Sequence, residues 1–287
     1  MRNAERVSGP CAYHAEGPFW DSRGGRLLYL DVLAANIIAI DSTGRNIRYT
    51  VPSRAATVIR RRTRGGFIVA TEHGLVVTDD SFTTFEHSID VIDDPAIRTN
   101  DGGCDPLGGF VIGTMAYDEQ AGRGTVYRVS ADGRVAELLS PVTISNGVQW
   151  SADGTRVFYI DTPTRRVDVL DVDPATGTWS RRRVHLRIED TAGFPDGMAI
   201  DEEDGLWIAL WGGGALNHYD HSGQLVETIA VPGVSQVSSC AFGGDDGRTL
   251  FITTSRKGLP TGQEADAGAI FSVPTSVRGA FLSEFAG

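Results

Sequence analysis

Three oxygen-bearing side chains recur at one phase of this sequence: Glu16 in HAEGPFWD, Asn146 in SNGVQWSADG and Asp196 in FPDGMAIDEEDG. Each is followed by glycine (Gly17, Gly147, Gly197) and then by an apolar run with strand character. A glutamate, an asparagine and an aspartate brought to one point make an all-oxygen donor set, which suits a hard divalent cation. The chemistry open to such a set is metal-assisted reaction of a small molecule. Taken singly, each is an ordinary turn residue. Only convergence turns them into a site, so the elements that position them decide the question.

Those elements repeat. An apolar pair, an acidic or small turn, a glycine and a short strand recur as FWDSRGGRLLYLD, VIRRRTRGGFIVAT, GCDPLGGFVIGT, VQWSADGTRVFYID, MAIDEEDGLWIAL and CAFGGDDGRTLFIT. The turn glycines Gly24, Gly65, Gly108, Gly154, Gly205 and Gly247 are spaced by 41, 43, 46, 51 and 42 residues. A period in the forties is that of a propeller blade, a meander of four antiparallel strands. Each unit continues into a second hairpin, as in IIAIDSTGRNIRYTV and LNHYDHSGQLVETIAV, whose Asp, Asn and Gly residues supply turn chemistry. The pattern predicts an all-β, six-bladed β-propeller filling residues 1–287 as one domain. The leading segment RVSGPCAYHA is left over and is expected to add a strand to the last blade, closing the ring and removing open edges. Helical periodicity is nearly absent; only RIEDTAG near Arg187 reads as a turn or so of helix.

In a propeller the inner strands line a central channel and their ends ring its mouth. Glu16, the run 98–102 (Arg-Thr-Asn-Asp-Gly), Asn146 and Asp196 are expected in loops leading into those strands. The second and sixth units offer only small or neutral groups there, Ala56 and Thr57, Ser238 and Ser239. Asp101 and Asp105 read as loop-holding turn residues, and Asp153, Asp201 and Asp245 as structural hairpin aspartates. His14 could reach the channel mouth; His218 and His221, in YDHSG, are expected to face solvent. Cys104 and Cys240 read as packed thiols, neither with the histidine a nucleophile needs. There is no G-x-S-x-G, which argues against a serine hydrolase.

Composition narrows the class further. Lys+Arg number 26 and Asp+Glu 37, a net charge of −11, which disfavours nucleic acid and anionic membranes as partners. No apolar run approaches the roughly 20 residues that span a bilayer. MRNAERVSGP lacks the apolar stretch of a secretory signal, so a cytoplasmic location is expected. Three cysteines without a CxxC spacing argue against a disulfide framework or zinc knuckle. Lys257 is the only lysine. Nothing in the sequence sets an oligomeric state.

The segments AEGPFWD, RTNDGGCDPLGGFVIGTMA, SNGVQWSADG, PDGMAIDEEDGLWIA and SSCAFGGDDGRTLFITTSRKG, followed by GAIFSV, resemble the family of senescence marker protein-30 (regucalcin), gluconolactonases and luciferin-regenerating enzyme. They run in family order along nearly the whole chain. The resemblance implies a six-bladed propeller with one divalent cation at a channel mouth, held by Glu16, Asn146 and Asp196. It implies substrate contacts from Arg98 and Asn100, and from Asp118 by position, with the neighbouring Glu119 as a possible substitute. Ala15 stands where the family usually has Gly, and Gly109-Phe110-Val111 where Arg-Phe-Trp is common.

The activity this implies is opening of a sugar lactone. A divalent cation can polarise the lactone carbonyl and orient a water. A carboxylate within reach of that water can act as base, and the resemblance favours Asp196. Coordination lowers a carboxylate's pKa and weakens it as a base, so the ligand role of Asp196 is the firmer one. Ca²⁺ is the cation expected first, with Zn²⁺, Mg²⁺ and Mn²⁺ as alternatives. Two other readings keep the same site: a metal-dependent phosphotriesterase or organophosphatase, and a calcium-binding propeller without physiological catalysis.

Overall fold

The computed structural model describes residues 2–41 and 43–287. The described strands form six sheets arranged as a β-propeller. The inner strands are Ala15–Asp21, Ala56–Arg61, Ile97–Cys104, Ser145–Trp150, Phe194–Ile200 and Val237–Gly243. Three further antiparallel strands complete each of the first five blades. Blade six takes its fourth strand from the other end of the chain: Glu5–Arg6 pairs with Ile270–Pro274. The chain reaches the last blade through Glu5–Arg6, of which only Arg6 belongs to the segment RVSGPCAYHA. Arg2–Asn3 adds a second, parallel edge to blade five.

The inner and middle strands are buried on both faces because each blade packs against two neighbours, while the outermost strands are largely exposed. Ile37, Ile38, Ala39 and Ile40 are consecutive and all at least 94 % buried. Six apolar clusters result, each between adjacent blades. Blades one and two share Leu30, Ile37, Ile59 and Phe67, and blades five and six share Trp207, Leu216, Leu250 and Phe271. This wedge of core between blades fixes the inner strands around one axis.

Two expectations need correction. RIEDTAG forms no helix: Arg187 ends a strand and residues 190–192 turn. The helical segments among the described residues are two three-residue 3-10 turns, Val32–Ala34 and Thr162–Thr164. His218 does not face solvent but stacks on Trp207, ring centroids 3.9 Å apart. After the last strand, residues 275–287 cross the far end of the channel. Ala280 N donates to Ile200 O (3.0 Å), Phe285 N to Arg61 O (2.9 Å) and Ala286 N to Gly108 O (2.9 Å). Phe285 is buried there, between blades two and three.

Candidate metal and substrate site

The site residues lie inside the inner strands rather than in the loops before them. Every inner strand carries a break in register at the same phase: after Glu16, Ala56, Thr99, Asn146, Pro195 and Val237. A β-bulge of this kind re-aims side chains and is a usual device beside functional sites. The glycines after the triad permit it. Gly17 has φ +54°, and a Cβ there would lie 2.6 Å from Thr57 O of the next blade. A Cβ on Gly197 would lie 2.1 Å from Ser239 Oγ. Any larger residue would push neighbouring blades apart at the axis.

Glu16, Asn146, Asp196, Arg98 and Asn100, from blades one, four, five and three, line one cavity of about 350 Å³ at the channel mouth. His14, Met115, Phe194 and Trp211 supply ring and apolar walls. The small groups of blades two and six stay out of it: Thr57 Oγ1 meets Thr99 Oγ1 at 2.8 Å, and Ser238 Oγ donates to Ala15 O at 2.6 Å.

One chain of hydrogen bonds sets the donor groups. Arg98 Nη1 donates to Asn100 Oδ1 (2.7 Å), and Asn100 Nδ2 donates to Asn146 Oδ1 (3.0 Å) and Ser145 O (2.8 Å). Asn146 Nδ2 donates to Thr162 Oγ1 (2.7 Å), whose hydroxyl donates to Pro195 O (2.8 Å). With both amide hydrogens of Asn100 committed and Asn146 Nδ2 held by Thr162, the oxygen of Asn146 is fixed in orientation and keeps acceptor capacity for a further ligand.

The carboxylates are held differently. Burial, then Asp196 and Asp101, push Glu16 well above the usual carboxylate range, against the Gly17 N–H and Arg98. Burial and then Asp101 push Asp196 up likewise, opposed by Lys257 and Arg98 and by no hydrogen bond. Two close carboxylates that disfavour each other's charge are stabilised by a cation between them. Among the described residues no three His, Cys, Asp or Glu side chains gather as a metal set. The set here is two carboxylates and one amide, all hard oxygen donors, and it fits a hard divalent cation.

Burial, Arg98 and Lys257 hold His14 well below the usual histidine range, which favours the neutral ring; its Nδ1 lies 3.0 Å from Ser255 Oγ. Asp118 does not line the cavity. It faces solvent and accepts from Gln120 N at 3.1 Å, while Glu119 lines the cavity instead. Glu119 meets Lys257 Nζ at 3.1 Å, from loops on opposite blades. Asp101 points down the channel toward Arg60, whose charge opposes the burial that raises it. Asp105 holds its turn as expected, accepting from Leu107 N and Gly109 N. Lys257, Thr162 and Trp211 carried no local motif. The one signal available was that a chain with a single lysine places it in a segment shared with the family.

The fold and the site define a six-bladed propeller with an oxygen-donor cluster at one mouth of its channel. The chain belongs to the SMP-30/gluconolactonase/LRE-like family, whose model matches residues 14–256. A Bacillus subtilis (strain 168) protein named for a proposed sugar lactone lactonase activity is 31 % identical over 279 residues, covering 95 % of this chain and 94 % of that one. The crystal structure of a calcium-binding protein, regucalcin, from Agrobacterium tumefaciens superposes with a TM-score of 0.94 at 26 % identity, covering 100 % of this chain and 98 % of that one. A luciferin-regenerating enzyme superposes with a TM-score of 0.87 at 29 % identity over the same shares.

Proposed function

We propose that this protein is a divalent-cation-dependent hydrolase that opens a sugar lactone. The observation that carries the reading is the meeting of Glu16, Asn146 and Asp196 with Arg98 and Asn100 in one cavity. Lactonase names among the relatives support the reaction class, and a calcium-binding regucalcin supports the cation. Glu16, Asn146 and Asp196 would hold the cation. When bound, it would polarise the lactone carbonyl and offset the negative charge that develops on its oxygen.

The protein's own groups do the rest. Asp196 would take a proton from the attacking water, its basicity moderated by the cation that it helps to hold. As the ring C–O bond breaks, that proton returns to the leaving ring oxygen. Arg98, 97 % buried and tied to Asn100, presents remaining N–H donors to substrate oxygens, and Asn100 holds Asn146 in place. Met115, Phe194 and Trp211 shield the reacting bond from bulk water. Chelated protein assayed on a lactone panel against Ca²⁺, Mg²⁺, Mn²⁺ and Zn²⁺ tests the reading. Turnover should require a cation, and Asp196→Ala should lower kcat/KM by roughly 10²–10⁴-fold with the fold intact. Full activity in that variant, or in chelator, would overturn it.

A further inference from the structure

The charge lining the cavity does not match a neutral substrate. Three carboxylates (Glu16, Glu119, Asp196) face two cationic side chains, Arg98 and Lys257. A divalent cation on the triad leaves one positive charge in excess, and a partly buried cluster is unstable with uncompensated charge. Lys257 is the chain's sole lysine and stands at the rim opposite Arg98, on blade six against blade three. Its partner is Glu119, at 3.1 Å and half exposed, in a left-handed backbone conformation (φ +58°). A rim pair this exposed is weak and exchanges readily for another carboxylate.

Resting on the lactonase reading, we infer that the preferred substrate is a sugar lactone bearing a second carboxylate, as in a uronic or aldaric acid. Lys257 reads that carboxylate at the end of the molecule away from the ester, where Glu119 holds its place in the free protein. One excess charge matches a monoanion rather than a phosphate dianion. Lys257 is thus a specificity residue, and the ester end is left to Arg98 and the triad.

The test compares gluconolactone with glucarolactone, which adds one carboxylate. In calcium-loaded protein kcat/KM should favour glucarolactone by at least about tenfold, or roughly 1.4 kcal/mol. K257Q should bring the ratio close to one, K257E should invert it, and raising salt should shrink it in the wild type. Hydrolysis of gluconolactone with an equal or greater rate, or a ratio unmoved by K257Q, would overturn the inference and leave the lactonase reading standing. A second measurement needs no turnover. In the calcium-loaded wild type under saturating lactone, a brief pulse of amine-reactive reagent marks Lys257, read by peptide mass. Glucarolactone should protect it and gluconolactone should not. Equal protection or none would overturn the inference even if neither lactone were hydrolysed, an outcome that would sink the lactonase reading on its own.

Discussion

The four polar inner strands each carry two rings of side chains five residues apart, and the rings behave in opposite ways. Glu16, Asn100, Asn146 and Asp196 face the cavity; Asp21, Asp105, Ser151 and Asp201 follow on the same strands or just beyond them. The second ring is satisfied by the protein. Asp21 takes Arg61 Nη2 at 2.7 Å and Nε at 2.9 Å, and Ser151 Oγ accepts Arg156 N at 3.1 Å. Asp201 accepts Glu203 N, Gly205 N and Trp207 Nε1 at 2.8–2.9 Å, with His218 at 3.3 Å. Among the described residues, the first ring's Glu16 accepts one bond, from its own neighbour Gly17, and Asp196 is influenced by none. One ring serves folding. In the other, the two amides are bonded within the protein and the two carboxylates are left for something the chain does not itself supply.

The largest stability effect should come from breaking the second ring. Asp201→Ala strands the indole N–H of Trp207, which is 1 % exposed, and two backbone N–H groups. Buried donors left unpaired cost about 1–3 kcal/mol each, so a loss of about 3 kcal/mol is expected. That lowers Tm by roughly 5–10 °C. Asp196→Asn, on the same strand, should leave Tm in chelator unchanged or higher, since it removes a carboxylate that repels Glu16. Calorimetric melts of the two variants decide this, and an equal drop in both would erase the contrast between the rings.

Next in size is the response to calcium. A cation that binds only the folded state stabilises it by about 2.7 kcal/mol at a hundred times its Kd. Titrating calcium into chelated protein should raise Tm for the wild type and for Asp201→Asn. Glu16→Gln and Asp196→Asn should lose most of that rise. A full rise in both triad variants would place the cation elsewhere.

Much of this division was legible in the sequence. The glycine period gave the blades, and the shared phase of Glu16, Asn146 and Asp196 gave their convergence. What it did not carry was register. The bulges that aim the triad arise from pairing between distant strands, and the same residues read locally as loop. Asp118 and Glu119 are adjacent, and the turn closed by Glu119 N on Ala116 O decides which faces the cavity. Lys257 and the covering segment 275–287 gain their roles only from ring closure, which brings both ends of the chain beside blades far away in sequence. His218 was misread for a similar reason: its partners, Trp207 and Asp201, lie on a neighbouring strand and its preceding turn.

The smallest effect tests the sign of the electrostatics in the second ring. Burial alone would raise Asp201, but hydrogen bonds from His218, Trp207, Gly205 and Glu203 outweigh it and hold the carboxyl below the usual range. A carboxyl whose folded pKa lies below its unfolded value, about 3.9, is one the unfolded chain protonates first as pH falls. Its contribution to stability is therefore complete above that unfolded value and is lost as pH drops through the folded one. Urea unfolding of the wild type and Asp201→Asn from pH 6 to pH 3 should show a gap that narrows with acidification. The narrowing should be steepest at the acid end, below the unfolded carboxyl value. A gap of constant size would mean that the four donors hold Asp201 by shape alone, and the two rings would then differ in packing rather than in charge.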